Sequence, residues 1–328
     1  MTGSNATLIV LNAVIVAVTE GVPRFLVLEH HAHEPEHEGP ALPFGPFEPD
    51  HHRTLEIALR GWITEQTGLP VGYVEQLYTF GDRYRDPRER AGGPRVISVG
   101  YLALVREAQP SGDAEWRDAY DFLPWEDWRA GRPRIIDDAI SPALEHWAIG
   151  SADAAERAAR KERLSITFGD ATWDMERVLE RYETLYEAGL VEEAARDRGF
   201  RKDHAEATAL RHAARMATGR LAALDHRRMM ATALGRIRGK LQYRPVVFEL
   251  LPETFTLLQL QTVAESLAGV SLHKQNFRRL VVNNRLVEAT GKQDRTSPGR
   301  PAELFRFRHD VLYERPAPGV GITARGSG

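Results

Sequence analysis

Residues 255–307 read FTLLQLQTVAESLAGVSLHKQNFRRLVVNNRLVEATGKQDRTSPGRPAELFRF and decide the fold of the C-terminal part of the chain. The first half predicts two helices, because apolar residues recur at three- and four-residue steps and Thr256 and Gly269 suit the start and end of the first. Ser271 is the expected N-cap of the second helix. From Leu286 onward, two strand-like segments flank a Gly- and Pro-rich loop. Helix, turn, helix and hairpin in this order indicate a winged helix-turn-helix.

The second of these helices has an apolar side and a basic side. At 100° per residue, Phe277 and Val281 fall on one side, which leaves the polar residues facing outward. Arg and Gln are the side chains that read guanine and adenine in a major groove. The helix residues expected to contact double-stranded DNA are Lys274, Gln275, Arg278 and Arg279.

The hairpin carries further cations. Residues 271–308 contain nine Lys or Arg against three Asp or Glu, whereas the formal net charge of the whole chain is −3. Local positive charge on a slightly acidic chain is typical of a DNA-binding module. Basic helices are also found simply solvated, and winged helices also bind proteins, so a protein-interaction adaptor is an alternative. The wing residues expected to contact phosphates or the minor groove are Lys292, Arg295 and Arg300.

Length and composition indicate a multidomain globular protein. The 328 residues suit two or three domains. Cysteine is absent from the sequence, which excludes disulfides, zinc ribbons and thiol catalysis. The apolar run at residues 8–18 is too short to span a bilayer and lacks a basic start. We therefore expect a cytoplasmic protein without a membrane partner.

The N-terminal part predicts a sheet and one amphipathic helix. Residues 8–28 resemble two strands joined by a turn at residues 20–23, and residues 95–105 are a further strand. Residues 54–67 space their apolar side chains for one helix face, and Gly68 supplies the stop. Strand, LPxG loop and a helix that ends in Glu-x-x-Gly-Leu resemble the Nudix fold.

This Nudix resemblance covers the pattern of the fold but not its catalytic residues. In that family the glutamates of the sequence Arg-Glu-U-x-Glu-Glu, where U is aliphatic, hold magnesium against a pyrophosphate. Aligned on Gly68, this core falls on residues 61–66, GWITEQ, in which only Glu65 remains, and the earlier glutamate falls on Arg53 or His51. A single glutamate cannot build the oxygen cage that magnesium requires. We therefore expect no catalytic residue, no metal site and no enzyme, with an active Nudix hydrolase of nucleoside diphosphate derivatives as the alternative.

Both ends of the chain together resemble the NrtR and NadQ type of bacterial repressors. The C-terminal motifs are LPxxFTLxxLQ from Leu251, NFRR at residues 276–279 and RPAxLFRF at residues 300–307, and the sensor motif is LYTFG at residues 77–81. The resemblance implies regulation of NAD biosynthesis genes in response to an adenine nucleotide (NAD, ATP or ADP-ribose). Winged helices of this kind generally act as symmetric dimers, so a homodimer on a palindromic operator is expected.

The expected fold class is α+β multidomain. It comprises an N-terminal Nudix-like α/β/α sandwich that senses ligand, a helical middle segment that links or dimerises, a C-terminal winged helix-turn-helix and a disordered tail. The middle segment is rich in Ala, Glu and Arg, which favour helices. The expected bounds of the four parts are residues 1–139, 140–240, 241–315 and 316–328.

The loop at residues 81–95, GDRYRDPRERAGGPR, indicates where an effector binds. Its arginines suit a phosphate clamp and nearby aromatic rings suit stacking on a base, although a solvated charged loop has the same composition. The expected ligand-binding residues are Arg53, Tyr78, Phe80, Arg83, Arg88 and Arg95.

Two further segments are open to more than one interpretation. The run HHAHEPEHE at residues 30–38, with His51 and His52, offers metal-binding side chains, but its spacing fits no closed tetrahedral site. A polar loop is the simpler prediction. The indoles of WEDWR at residues 125–129 are expected to pack in the core of the sensor.

Overall fold

The computed structural model describes most of the chain with short gaps, namely residues 7–29, 39–83, 86, 89, 92–169, 173–198, 213, 215–294, 301–314 and 318–322. The N-terminal half contains a six-stranded sheet. Its strands are β1 (Thr7–Thr19), β2 (Val22–Leu28), β3 (Phe44–Pro46), β4 (Tyr73–Phe80), β5 (Arg95–Leu104) and β6 (Ala114–Asp118). The main order across the sheet is β4-β5-β1-β2-β6, and β3 pairs with β1.

Strand β1 lies at the centre of the sheet because its side chains are apolar on both faces. It pairs parallel with β5 and antiparallel with β2 and β3. Glu20 and Gly21 connect β1 to β2 with positive φ angles of 53° and 76°. Two consecutive left-handed residues match the right-handed twist of a hairpin, which confirms the predicted turn.

Helix α1 (Leu55–Thr67) covers one face of the sheet. The Thr54 side chain caps its start by accepting from the Ile57 N–H, and Gly68 ends it with a φ of 68°. Apolar side chains at Ala58, Leu59 and Ile63 pack against the sheet. The end of the helix at Thr67 and the stop at Gly68 are as predicted, and the helix begins one residue later than predicted because Thr54 is its N-cap.

A second group of helices lies on the side of the sheet opposite α1, and all of them except the first belong to the middle segment. They are α2 (Ala119–Phe122), α3 (Ser141–Ile149), α4 (Ala154–Thr167), α5 (Val178–Ala188), α6 (Glu192–Arg198) and α7 (His226–Tyr243). The predicted helical character of this segment is therefore confirmed. Helix α7 lies directly against β1, β4 and β5, so Met229 and Leu234 share one core with Val14 and Val16. A segment expected to be a linker thus supplies part of the second helix layer of the sandwich.

The C-terminal part is a winged helix. Helix α8 (Leu257–Ala268) begins with a capping box, in which the Thr256 hydroxyl accepts from the Gln259 N–H and the Gln259 side chain accepts from the Thr256 N–H. Helix α9 (Lys274–Asn283) follows, and β7 (Val287–Asp294) pairs antiparallel with β8 (Ala302–Phe307). Phe255 adds a short bridge to Phe305 through two backbone hydrogen bonds of 2.8 and 2.9 Å.

The start of α9 differs from the prediction. His273, not Ser271, occupies the N-cap position, and its side chain makes no capping hydrogen bond. The Ser271 hydroxyl donates instead to the Arg129 carbonyl at 2.8 Å. A contact with a segment far away in sequence has therefore replaced the local cap.

The last described residues correct the prediction of a disordered tail. After the short helix α10 (Val311–Glu314), residues 318–322 pack against the protein, with Val320 fully buried and Ile322 nearly so. The Gly321 N–H donates to the Leu241 carbonyl at 3.2 Å. The other residues of the expected tail lie outside the described part. Among the described residues, no helix is long and apolar enough to cross a membrane.

Candidate functional site

Helix α9 presents the predicted DNA-reading side chains to solvent. Lys274, Gln275, Arg278 and Arg279 are all exposed, whereas Phe277 and Val281 are buried under the helix. The sequence of α9, KQNFRRLVVN, contains three cations and no acidic residue. This geometry lets one face of the helix enter a major groove while the other face remains anchored.

Side chains of α8 hold the turn that leads into α9. The Glu265 carboxylate accepts from the Leu272 N–H at 2.7 Å, and the Gln261 amide donates to the Leu272 carbonyl at 3.0 Å. Both polar groups of one turn residue are thereby satisfied by the preceding helix. The angle between α8 and α9 is fixed by these hydrogen bonds as well as by packing.

The wing is only partly described. Lys292 is exposed on β7, and its N–H donates to the Thr290 hydroxyl at 3.2 Å. Arg295 and Arg300, which were predicted to contact DNA, lie outside the described residues. Strands β7 and β8 place the described cation on the hairpin that follows α9, as a wing requires.

The residues of α1 at the Nudix box position do not fit a magnesium cage. Gln66 bonds Phe44 in both directions, donating to its carbonyl at 2.7 Å and accepting from its N–H at 3.0 Å. The Trp62 ring lies so close to Gly45 that a Cβ built there would come within 2.2 Å of it, and the indole N–H donates to Pro46. These side chains therefore join β3 to α1. The remaining carboxylate of the box, Glu65, is exposed, and no second carboxylate of the box lies beside it to share a magnesium ion.

The predicted ligand residues have different surroundings. Arg53 is exposed just before α1, Tyr78 is 62% exposed on β4, and Arg83 is exposed in the loop after β4. Arg95 is exposed and donates to the Gly81 carbonyl at 2.7 Å, so it closes the base of that loop. Arg88 lies outside the described residues.

Phe80 is a correction, because its ring belongs to the core. Only 5% of the residue is exposed, and the ring packs against Gly100 of the neighbouring strand β5, where an added Cβ would approach it to 2.9 Å. Tyr78, whose ring meets the Phe80 ring edge-on at 5.3 Å, is the residue of the two that can stack on a base.

Polar contacts between α7 and the N-terminal part of the chain were missed from the sequence. The Asn12 amide lies 3.1 Å from Nε2 of the buried His226, whose Nδ1 accepts from the Leu42 N–H at 3.1 Å. Arg228 reaches Asp82 in the loop after β4 at 3.3 Å. Asn12 interrupts an otherwise apolar strand sequence, and this was the signal that a polar partner had to exist.

The WEDWR segment lies between the sheet and the winged helix. Trp125 is fully buried, as predicted, and the Trp128 ring stacks on Trp173 with centroids 4.1 Å apart. The backbone N–H of Trp128 donates to the Gly269 carbonyl at 2.7 Å. The segment therefore contacts the winged helix at the turn before its recognition helix, in addition to packing the core.

Metal-binding side chains do not converge within the described part of the chain. No group of three or more His, Asp or Glu residues with suitable geometry occurs there. The run at residues 30–38 is outside the described residues. His52 packs instead on Phe47, with ring centroids 5.9 Å apart.

The C-terminal part of the chain is similar to a known family of DNA-binding domains. Residues 247–307 match the model of the NrtR DNA-binding winged helix domain. A curated relative, the ADPR responsive transcriptional repressor NtrR of Acinetobacter baylyi, is 36% identical over 85 residues, which are 26% of this chain and 34% of the relative. The matched segment thus spans about a third of the relative's length.

Solved structures share the fold of almost the whole chain. The crystal structure of Shewanella oneidensis NrtR complexed with a 27mer DNA aligns with a TM-score of 0.53 at 20% identity, covering 93% of this chain and 95% of that one. A MutT/nudix family protein from Enterococcus faecalis aligns with a TM-score of 0.52 at 16% identity, covering 94% and 89%. The predicted combination of a Nudix-like domain and a C-terminal winged helix is confirmed.

Proposed function

We infer that this chain, which joins an NrtR-type DNA-binding winged helix to a Nudix-like fold, is an effector-responsive transcriptional repressor. The observation that carries the proposal is α9, whose cations and amide are exposed on one face while Phe277 and Val281 anchor the other. Arg278 and Arg279 would read base edges, and Lys274 and Lys292 would contact phosphates.

We propose ADP-ribose as the first effector to test. The curated relative is named for its response to this ligand, and the Nudix fold accommodates nucleoside diphosphate derivatives. Tyr78 offers a ring for the base, and Arg83, Arg95 and Arg53 offer guanidiniums for the diphosphate. NAD and ATP share the same adenine and phosphate chemistry and serve as competitors in the test.

The Nudix-like domain is proposed to sense its ligand without cleaving it. Trp62 and Gln66 stand at two glutamate positions of the box and are engaged with residues 44–46. Losing the carboxylates removes the cation cage but not the arginines that are proposed to bind phosphate. Ligand occupancy can then change the state of the protein because the ligand persists.

We further propose that the repressor acts as a homodimer on a palindromic operator. A two-fold symmetric dimer places two copies of α9 about one helical turn of DNA apart, roughly 34–36 Å. Sedimentation of the free protein and footprinting on the operator test these two expectations. The NAD biosynthesis genes are the proposed targets because of the resemblance of both chain ends to regulators of that pathway.

The deciding experiment is a DNA-binding titration. Fluorescence anisotropy on the promoter of the chain's own operon and on promoters of quinolinate-pathway genes should show salt-dependent, sequence-selective binding. ADP-ribose, NAD and ATP are then titrated in turn, with magnesium-dependent product formation followed by chromatography. DNA binding that changes with one nucleotide, without its turnover, is the expected result.

Three outcomes contradict the proposal in different ways. Robust hydrolysis with magnesium would favour the Nudix hydrolase. A flat salt dependence with no sequence preference would favour a protein-interaction adaptor. Specific DNA binding that ignores every nucleotide would leave a repressor without the proposed sensor.

A further inference from the structure

Helix α7 connects the loop proposed to bind the effector with the winged helix. Near its first turn, Arg228 pairs with Glu183 of α5 at 2.6 Å and also contacts Asp82 of that loop at 3.3 Å. Ten residues later, Arg238 contacts the last turn of α8. Since α7 is an unbroken helix of 18 residues, a displacement at one end moves the other.

Arg238 is the buried side chain through which α7 holds the winged helix. It is fully buried, and its Nε donates to the Leu267 carbonyl at 3.0 Å. The guanidinium also donates to the Glu126 carboxylate and carbonyl and to the Met175 carbonyl. A cation at the carbonyl end of α8 caps that helix and is favoured by its dipole.

Glu126 is the anion that two cations share at this site. Its carboxylate lies between Arg238 and Arg181, with Arg181 donating to both oxygens at 2.6 and 2.9 Å. All three side chains are buried, so the cluster either stays assembled or exposes an uncompensated charge. Such a group has discrete arrangements rather than a continuous range, which is the property that a switch requires.

The cluster of Glu126, Arg181 and Arg238 also contacts the turn between α8 and α9, which sets the orientation of α9. A Cβ built at Gly269 would come within 2.4 Å of both Arg238 Nη2 and the Glu126 carbonyl. The neighbouring Trp128 N–H donates to the Gly269 carbonyl, and the Arg129 carbonyl accepts from the Ser271 hydroxyl. The turn between α8 and α9 is therefore seated on the cluster.

Resting on the proposed function, we propose that Arg238 and Glu126 form the positioning pair through which effector binding controls the orientation of the DNA-reading helix. The loop after β4 moves α7 through Arg228, and Arg238 carries that movement to the turn at Gly269. Neither member of the pair contacts DNA or effector. Their role is to make the affinities for the two ligands depend on one another.

Arg227 supplies a matched control on the same helix. It is as deeply buried as Arg238 and pairs with the buried Glu193 at 2.6 Å. Its other hydrogen bonds go to the carbonyls of Phe122, Thr218 and Arg220, all of which precede the winged helix. Its loss should weaken the core without weakening the link to α8.

The test measures the ratio of DNA dissociation constants with and without saturating ADP-ribose, for full-length Arg238→Lys and Glu126→Gln against Arg227→Lys. Allosteric coupling typically changes affinity about 5- to 150-fold. Lysine keeps the charge but cannot make the Leu267 and Glu126 contacts together. We expect the ratio to fall towards one in the first two variants and to remain at the wild-type value in Arg227→Lys, with ADP-ribose affinity in the absence of DNA unchanged.

Two glycine variants keep the proposal testable if an arginine variant does not fold. Gly269→Ala places a methyl group against Arg238, whereas Gly68→Ala places one against Ser111 at a helix end with nearly the same φ. The ratio of DNA dissociation constants with and without ADP-ribose should fall in Gly269→Ala and stay at the wild-type value in Gly68→Ala. Each variant is measured at a temperature well below its unfolding midpoint.

The outcomes separate this inference from the proposed function. A wild-type ratio of one with every nucleotide contradicts both. A wild-type ratio above one that is retained in Arg238→Lys, Glu126→Gln and Gly269→Ala contradicts the positioning pair alone, while the repressor stands. An equal fall of the ratio in Arg227→Lys and Gly68→Ala would also contradict the positioning pair. The effect would then come from a general loss of stability.

Discussion

Gln66 and Phe44 are joined by two hydrogen bonds that use both polar atoms of the glutamine amide. The side-chain nitrogen donates to the Phe44 carbonyl at 2.7 Å, and the side-chain oxygen accepts from the Phe44 N–H at 3.0 Å. A carboxylate can make only the second of these bonds. The residue at a metal-binding position of the Nudix box has therefore acquired a structural role that requires an amide.

Gln66→Glu is expected to destabilise the protein without producing a hydrolase. Loss of the donor leaves the Phe44 carbonyl opposite a charged acceptor, at a cost of about 1–3 kcal/mol. Urea denaturation measures the loss, and Glu65→Gln on the exposed side of the same turn is the control. Magnesium-dependent cleavage of ADP-ribose by Gln66→Glu would contradict this expectation, because it would show that one substitution is enough to restore a magnesium site.

Arg278→Ala and Arg279→Ala are expected to weaken specific operator binding. If each guanidinium reads a base, its loss costs about 1–3 kcal/mol and relaxes the preference at one base pair. Anisotropy titrations on the operator and on single-substituted operators measure both effects. Lys161→Ala removes an exposed cation from α4 and should have no effect; unchanged affinity in both arginine variants would refute the groove assignment.

Lys292→Ala is expected to weaken binding uniformly across DNA sequences. A lysine on phosphate contributes through counterion release, so the slope of log K against log salt should become shallower by about one. The measurement is a titration at several salt concentrations, again with Lys161→Ala for comparison. A sequence-dependent effect at constant slope would instead place Lys292 at a base edge.

Removal of residues 316–328 is expected to destabilise the protein more than removal of residues 323–328. Val320 and Ile322 are buried, and burying such side chains contributes about 1.5–3 kcal/mol each, part of which is offset by the entropy of ordering the segment. Thermal unfolding monitored by circular dichroism compares the two. Equal midpoints would mean that residues 318–322 contribute nothing in solution.

Glu126 should make stability sensitive to acid. Burial raises the pKa of its carboxyl, but the charges of Arg181 and Arg238 outweigh burial and hold the pKa below its ordinary value of 4.5. A lowered pKa contributes stability above pH 4.5 that is lost as the pH falls through the folded value. The free energy of unfolding should therefore decline less steeply below pH 4.5 in Glu126→Gln than in the wild type. Parallel curves would show that the carboxylate carries no such linkage.

Local sequence signals predicted much of the winged helix and the first helix of the sensor. Thr256 and Gly269 bound α8 as expected, and Gly68 ends α1 as expected. Caps succeed as predictions because their hydrogen bonds join residues within one helical turn. The exposed face of α9 followed equally from helical periodicity.

Predictions failed where a distant segment competed with a local one. Ser271 was expected to cap α9, but its hydroxyl bonds Arg129, which is 142 residues away. Phe80 was expected at a ligand, but Gly100 on the neighbouring strand leaves room for its ring in the core. The composition of the C-terminal tail did not show that Val320 would be buried or that Gly321 would lie against Leu241 and Leu280.

The sequence by itself determined the types of the elements, the ends of α8 and the loss of the box carboxylates, because each depends on residues that are close together along the chain. Only the tertiary structure decided that Glu126 and Arg238, 112 residues apart, would meet beneath the turn of the winged helix. Burying two arginines with one glutamate is unfavourable until their partners are assembled around them. That arrangement therefore depends on the packing of the whole chain and is not encoded in any single segment.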